Sequence, residues 1–260
     1  MKEWVSKKLN NIETEHNVMV IYACESGSRA WGFPSQDSDY DVRFIYVHPR
    51  DWYVSITEKR DVIEVHVEQE LDINGWDLRK SLRLLRKSNS PLLEWLSSPI
   101  VYRCVDSAMI PFIELSRRAF LPGSAFHHYL SMARSSIEKF QNEEEAKIKS
   151  YLYALRTILC CKWIIKRLEQ PPMLIQDLLS EFIPEGEFRQ FIDQLILKKR
   201  EGSEEAMIKR SDLFEGYLDA QVGELRNQIP KNTGEPPLEA FDYVFREILG
   251  IVERSADCSV

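Results

Sequence analysis

The 260-residue chain carries 34 Lys+Arg against 41 Asp+Glu, a formal charge of −7, so it has no global attraction for a polyanion, and a phosphate-bearing ligand must be met by a local basic patch or by metal ions. Its 44% hydrophobic and 29% charged residues, with 12 Pro and 10 Gly, exclude a disordered or fibrous chain and leave enough length for two modest domains. The longest apolar runs, VMVIYAC (18–24) and ILCCKWII (158–165), fall short of the roughly 20 residues a bilayer demands, and the charged opening MKEWVSKKLNNIETEHN lacks the apolar core of a secretory signal, so a cytoplasmic protein without membrane contact is expected. Five cysteines fit that compartment: the number is odd, Cys160 and Cys161 are adjacent, and Cys24, Cys104 and Cys258 show no paired spacing, which predicts free thiols.

Residues 2–10 read as a short amphipathic helix with Trp4, Val5 and Leu9 on one side. The apolar run 18–24 is a buried strand ending at the polar turn Glu25-Ser26-Gly27-Ser28, with Ser26 or Ser28 available to cap a short helix entered at Arg29-Ala30-Trp31. A second strand spans 40–47 (YDVRFIYV), a third spans 62–68 (VIEVHVE), and LDINGW (71–76) extends the pairing before a helix begins near Asp77. That helix turns Leu78, Leu82 and Leu85 inward and Arg79, Arg83 and Arg86 to the opposite side. The arginine stripe, with Lys80 and Lys87, is open to two readings: a solvated face or a phosphate-contacting one.

From 107 onward only helical periodicity is visible, with Phe126, Leu130, Ala133, Ile137 and Phe140 as one stripe and Leu152, Leu155, Leu159 and Trp163 as another. Leu121-Pro122-Gly123-Ser124 breaks the chain into halves, with Ser124 as an N-cap, and tail helices are expected at 186–200, 204–228 and 237–253. The fold class is therefore α+β: an N-terminal domain of strands and helices over 1–122, followed by an all-helical domain over 123–260.

The chemistry concentrates in GSRAWGFPSQDSDYDVRF (27–44). On a strand Asp39 and Asp41 share a face, and two converging carboxylates repel unless a hard cation lies between them; an all-oxygen donor set favours Mg²⁺ or Mn²⁺ over zinc. Arg43 continues that face and can neutralise charge or hold a phosphate oxygen. Upstream, Gly27 and Ser28 stand where a strand gives way to a helix, a position whose free N–H groups accept anionic oxygen. Such parts suit displacement at the α-phosphate of a nucleotide. Asp37, Asp39 and Asp41 also match the first three ligand positions of an EF-hand, but Val42 and His48 stand where that loop needs Gly and Glu. There is no P-loop, dinucleotide fingerprint or HExxH.

The spacing Gly27-Ser28, ten residues, then Asp39-Tyr40-Asp41 resembles the signature of the polymerase β-like nucleotidyltransferase superfamily. The strings ESGSRAWGFPSQDSDYDVRFIYV and INGWDLRKSLRLLRKSNSPLLEWLSSPIVY resemble the bacterial predicted nucleotidyltransferase family of the YcgL/RlaP type, closely over about residues 20–105 and more weakly over 147–164. The resemblance implies a catalytic domain at 1–122 and a helical substrate-binding domain at 123–260. It implies transfer of an NMP from an NTP to an acceptor hydroxyl with release of pyrophosphate, using Mg²⁺ or Mn²⁺ held by Asp39, Asp41 and a third carboxylate. Asp72 best fits that third place, with Glu64 as the second choice. Gly27, Ser28, Arg29, Arg43, Lys149, Tyr151 and Arg156 match nucleotide-binding positions, although the last three also read as ordinary helix-surface residues. The acceptor stays open among an RNA 3′ end, as in RNA repair, a protein and a small molecule. The alternative is a catalytically silent nucleotide- or RNA-binding module on the same fold.

Overall fold

The computed structural model of the chain describes all residues other than 68–70, 142, 233 and 258–260. In chain order the elements begin α1 (Lys2–His16), β1 (Met19–Glu25), α2 (Gly27–Trp31), β2 (Tyr40–Val47) and α3 (Arg50–Tyr53). They continue β3 (Val62–Val67), β4 (Leu71–Asp77), α4 (Leu78–Arg86), α5 (Ser90–Leu96), β5 (Val101–Cys104) and α6 (Asp106–Arg118). Then come α7 (Pro122–Glu138), β6 (Glu145–Lys147), α8 (Ile148–Arg167), α9 (Ile175–Phe182), α10 (Glu187–Glu201), β7 (Met207–Lys209), α11 (Asp212–Leu225) and α12 (Leu238–Asp257). The fold is α+β, and among the described residues no helix is long and apolar enough to cross a membrane.

Two compact units emerge. One comprises Met1–Ser26, Asp39–Phe120 and Gly234–Val260, the other Gly27–Ser38 and Leu121–Thr233. Where the sequence reading expects two continuous stretches, 1–122 and 123–260, residues 27–38 group with the helical unit and 234–260 with the sheet unit.

The sheet unit holds five strands in the order β3-β4-β2-β1-β5, with β2 and β4 parallel and the other neighbours antiparallel. Alternation along β2 sends Val42, Phe44 and Tyr46 into one layer, where they meet Val5, Leu9 and Ile12 of α1 and Ile63, Leu71 and Ile73 of β3 and β4. The helix α1 is six residues longer than the apolar pattern suggests and ends at Asn17 in a left-handed cap; Trp4, read as inward, is exposed, and Ile12 takes the inner place. Asp77 caps α4 by accepting from Arg79 N at 2.8 Å, and Leu78, Leu82 and Leu85 are buried as expected. On the second layer Trp76 stacks on Trp95 of α5, with ring centroids 3.8 Å apart.

Gly75 stands opposite Phe44 in the parallel register, and a Cβ there would lie 2.2 Å from the Phe44 ring. Phe44 is fully buried and has no room to yield. The substitution Gly75→Ala is expected to cost about 3 kcal/mol of stability, read as a lowered denaturation midpoint at unchanged denaturant slope; a wild-type midpoint would contradict this packing.

The helical unit is built around α8, whose inner residues Leu152, Leu155, Ile158 and Leu159 are fully buried, and α7, whose stripe of Phe126, Leu130, Ala133, Ile137 is buried as the periodicity predicts. Ser124 does not cap α7. Leu121 is the N-cap residue, and Asn232 Oδ1 accepts from Gly123 N at 2.8 Å and Ser124 N at 3.3 Å, so a residue over a hundred positions away satisfies the helix end. The helix expected over 204–228 is shorter: β7 pairs antiparallel with β6 first, and α11 begins at Asp212. Cys24, Cys104, Cys160 and Cys161 are free thiols, while Cys258 lies outside the described residues.

Candidate active site

The parallel register of β2 and β4 sets Asp41 opposite Asp72, on the layer away from the apolar core. These carboxylates come from strands 31 residues apart in sequence, and a one-residue slip would send one of them into the core layer. Arg43, two positions along β2, closes the group: its Nη2 donates to Asp41 Oδ1 at 3.0 Å and Asp72 Oδ2 at 2.7 Å, while Nη1 donates to the Asp72 carbonyl at 3.2 Å. A guanidinium thus lies between two carboxylates that would otherwise repel, and both acids stay partly open to solvent, 30% and 48% exposed. Asp39 lies one residue ahead of β2 and is exposed. Among the described residues no group of three or more His, Cys, Asp and Glu side chains is arranged as a metal cluster.

Glu64, the second choice for a third carboxylate, pairs with Asn74 in the Arg43 row rather than with Asp72, and it is engaged by Arg60 at 2.5 Å. In this register Asp72, and not Glu64, lies directly opposite Asp41. His66 is the backbone partner of Asp72 on β3.

One residue escaped the sequence reading. Glu25, taken as part of a polar turn, is fully buried at the end of β1; its Oε1 accepts from Asp41 N at 2.8 Å and its Oε2 from the Tyr102 hydroxyl. The Asp41 carbonyl in turn accepts from Ser26 N at 2.8 Å, so the Asp41 peptide is held on both sides. A carboxylate closing an otherwise apolar strand immediately before Gly-Ser was the available signal.

The helical unit contains the remaining predicted residues. Gly27 opens the five-residue α2 with φ of +63°, a conformation that side chains resist. Ser28 is buried and caps nothing; its hydroxyl donates to Ser38 Oγ at 3.1 Å, and the Arg29 guanidinium donates to the Ser38 carbonyl at 2.7 Å. Ser35 and Ser38 extend this cluster to Glu204, whose Oε1 accepts from Ser35 at 3.0 Å, Ser38 at 2.5 Å and Lys199 Nζ at 2.7 Å. Lys149 Nζ pairs with Glu204 Oε2 at 2.8 Å, and Lys199 is fully buried. Burial alone would raise the Glu204 pKa, but hydrogen bonds from Lys149, Lys199, Ser38 and Ser35 outweigh it and draw it down to about 2.

Tyr151 and Arg156 lie inside this unit. The Tyr151 hydroxyl donates to Glu215 and accepts from Ser211 N at 3.2 Å, and burial pushes its pKa up. Arg156, 2% exposed, donates to the Met173 carbonyl at 3.2 Å and lies over the Trp31 ring at 4.6 Å, bracing α2 from below.

A curated relative, "Uncharacterized protein YcgL" of Bacillus subtilis (strain 168), is 46% identical over 222 residues, covering 85% of this chain and 85% of that protein. Among solved structures, a nucleotidyltransferase-like protein from Exiguobacterium sibiricum 255-15 aligns over 85% of this chain and 78% of its own, at 13% identity and a TM-score of 0.30. Residues 1–247 match the family described as "RlaP: RNA repair pathway DNA polymerase beta family". The chain, carrying the Gly27-Ser28 and Asp39-Tyr40-Asp41 signature with Asp72 in register beside it, belongs to that polymerase β-type family.

Proposed function

We propose that the protein is a Mg²⁺-dependent nucleotidyltransferase that moves an NMP from an NTP to an acceptor hydroxyl. The observation that carries this reading is the in-register placement of Asp41 and Asp72 on neighbouring parallel strands, partly exposed and already gathered around a positive charge. Their all-oxygen donor set, with Asp39 beside them in sequence, suits Mg²⁺ or Mn²⁺. When bound, the ions would lower the pKa of the attacking hydroxyl and stabilise the departing pyrophosphate.

The chain's own groups divide the remaining work. Asp72 accepts the proton of the acceptor hydroxyl, whose oxygen forms a bond to the α-phosphorus as the bond to pyrophosphate breaks. Glu25 fixes the Asp41 backbone, and Arg43 holds Asp41 and Asp72 in place and can turn to a phosphate oxygen. Gly27, Ser28, Arg29 and Lys149 take the triphosphate oxygens; Arg156 and Tyr151 act as positioning residues, the first through Trp31. The RNA repair description of the family supports an RNA 3′ end as the acceptor.

The test is incubation with Mg²⁺ or Mn²⁺ and α-labelled NTPs against RNA, protein and small-molecule pools. Label is expected on RNA 3′ ends with matching pyrophosphate release; ATP consumption with no labelled acceptor in any pool would overturn the reading.

A second reading, a nucleotide- or RNA-binding module without turnover, is favoured by one observation: Arg43 already satisfies both carboxylates. Calorimetric binding of ATP without pyrophosphate release under the same conditions would select it.

A further inference from the structure

The arginine stripe of α4 stands apart from the carboxylates. Asp41 and Asp72 lie at the start of β2 and β4, whereas β4 runs five residues further, about 17 Å at 3.3 Å per residue, before α4 begins. There α4 faces α12 across a cavity of about 340 Å³. Its lining joins two stripes of helical spacing: Arg79, Arg83 and Arg86 on one helix, Phe241, Asp242 and Phe245 on the other. Three arginines against one aspartate leave a formal local charge of +2 in a chain whose total is −7.

The arginines differ in how they are held. Arg79 donates to the Tyr53 carbonyl at 2.9 Å and lies over the rings of Tyr53 at 4.9 Å and Phe245 at 5.6 Å, so its guanidinium presents a fixed plane among aromatic surfaces. Arg83 and Arg86 are exposed and have no hydrogen-bond or ion-pair partner among the described residues. The adjoining cavity of about 210 Å³ shares Arg79 and Arg83, but there Lys59 and Lys80 are offset by Glu58, Asp61 and Asp77. Uncommitted positive charge therefore concentrates between α4 and α12.

We propose that this cavity is a second ligand site, separate from the catalytic carboxylates, that takes one nucleotide unit: a base against the half-buried Phe245 ring and the Arg79 guanidinium, and its phosphate on Arg83 and Arg86. Both halves of the chemistry are on the wall, because a planar π surface stacks any base while paired guanidiniums grip a phosphate bidentately. A bare anion leaves Phe245 and the Arg79 plane unused, and an acidic peptide offers no flat partner for them. The volume lies near the roughly 300 Å³ lower bound of small-ligand clefts, the scale of one nucleotide. Such a unit can come from a free nucleotide or from a single-stranded polynucleotide.

The inference is independent of turnover, and its test runs in EDTA so that metal-assisted chemistry plays no part. Binding of a fluorescein-labelled single-stranded oligoribonucleotide, an abasic strand of equal length and free AMP is measured on the full chain and on Arg83→Gln with Arg86→Gln. Because both arginines are exposed, the variant is expected to melt as the wild type does. The expected result is a tenfold or greater loss of affinity in the variant and weaker wild-type binding of the abasic strand. Loss confined to the oligonucleotide identifies a strand as the source of the nucleotide, and the same loss with AMP identifies the free molecule. Unchanged binding in the variant, equal binding of the abasic strand, or no binding of any probe overturns the proposal.

Discussion

On the proposed function, Asp41→Asn combined with Asp72→Asn is expected to lower NMP transfer by about 10³-fold or more, near 4 kcal/mol of transition-state stabilisation. The reasoning rests on register rather than on residue type. Asp41 and Asp72 are cross-strand partners with one counter-charge between them, so removing both carboxylates eliminates the only in-register acid pair that β2 and β4 offer on that layer. Asparagine keeps the shape of each side chain, and both positions are partly exposed, so the sheet is expected to fold. Arg43, 18% exposed, loses its partners but remains within reach of the Asp72 carbonyl and of water. Labelled product and pyrophosphate should fall together while thermal melting stays close to the wild type. Activity within threefold of wild type would place the chemistry elsewhere.

The second large effect concerns stability. Lys199→Met is expected to cost about 3 kcal/mol, roughly 10 °C in the melting temperature of a unit this size. Lys199 is fully buried and donates to both Glu204 and Ser35. Its loss leaves a largely buried carboxylate with Lys149 and two serine hydroxyls as remaining partners. Replacing Glu204 by Met as well should recover most of the deficit, because an apolar pair carries no desolvation penalty. Equal melting of the single variant and the wild type would show that the pair contributes nothing.

The same network sets a pH dependence. The folded pKa of Glu204, about 2, lies below its ordinary 4.5, so its contribution is fully present above pH 4.5 and is lost as pH falls toward 2. Wild-type melting temperatures should fall more steeply than those of Glu204→Gln across that window, and parallel acid limbs would contradict the assignment.

How much of this was legible in the sequence depends on the range over which each feature is determined. The register that sets Asp72 opposite Asp41 is a long-range property, but the strand that carries Asp41 announced itself through a local period of two. The short strands β5, β6 and β7 did not, because three or four residues with mostly exposed side chains leave no alternation to read. Nothing local marks Ser35 and Ser38, since the partners that give them a role, Lys199 and Glu204, lie more than 160 positions later. Asn232 at the start of α7 and Glu25 beneath Asp41 are comparable cases: each is a polar side chain whose purpose depends on tertiary proximity. Tyr151 and Arg156 were recognisable as polar positions on α8, but the sequence could not show that core partners already engage them.

The grouping of residues 27–38 with the second unit and of α12 with the first means that neither unit is a continuous stretch of polypeptide. Genetic dissection at residue 120 would therefore not yield two self-sufficient halves: the upstream fragment would lack the terminal helix beside α4 and α6, and the downstream one would lack the serine hydroxyls that Lys199 and Glu204 engage. Co-expressed fragments would have to exchange both pieces to reassemble, which ties the integrity of the Gly-Ser turn to synthesis of the entire chain.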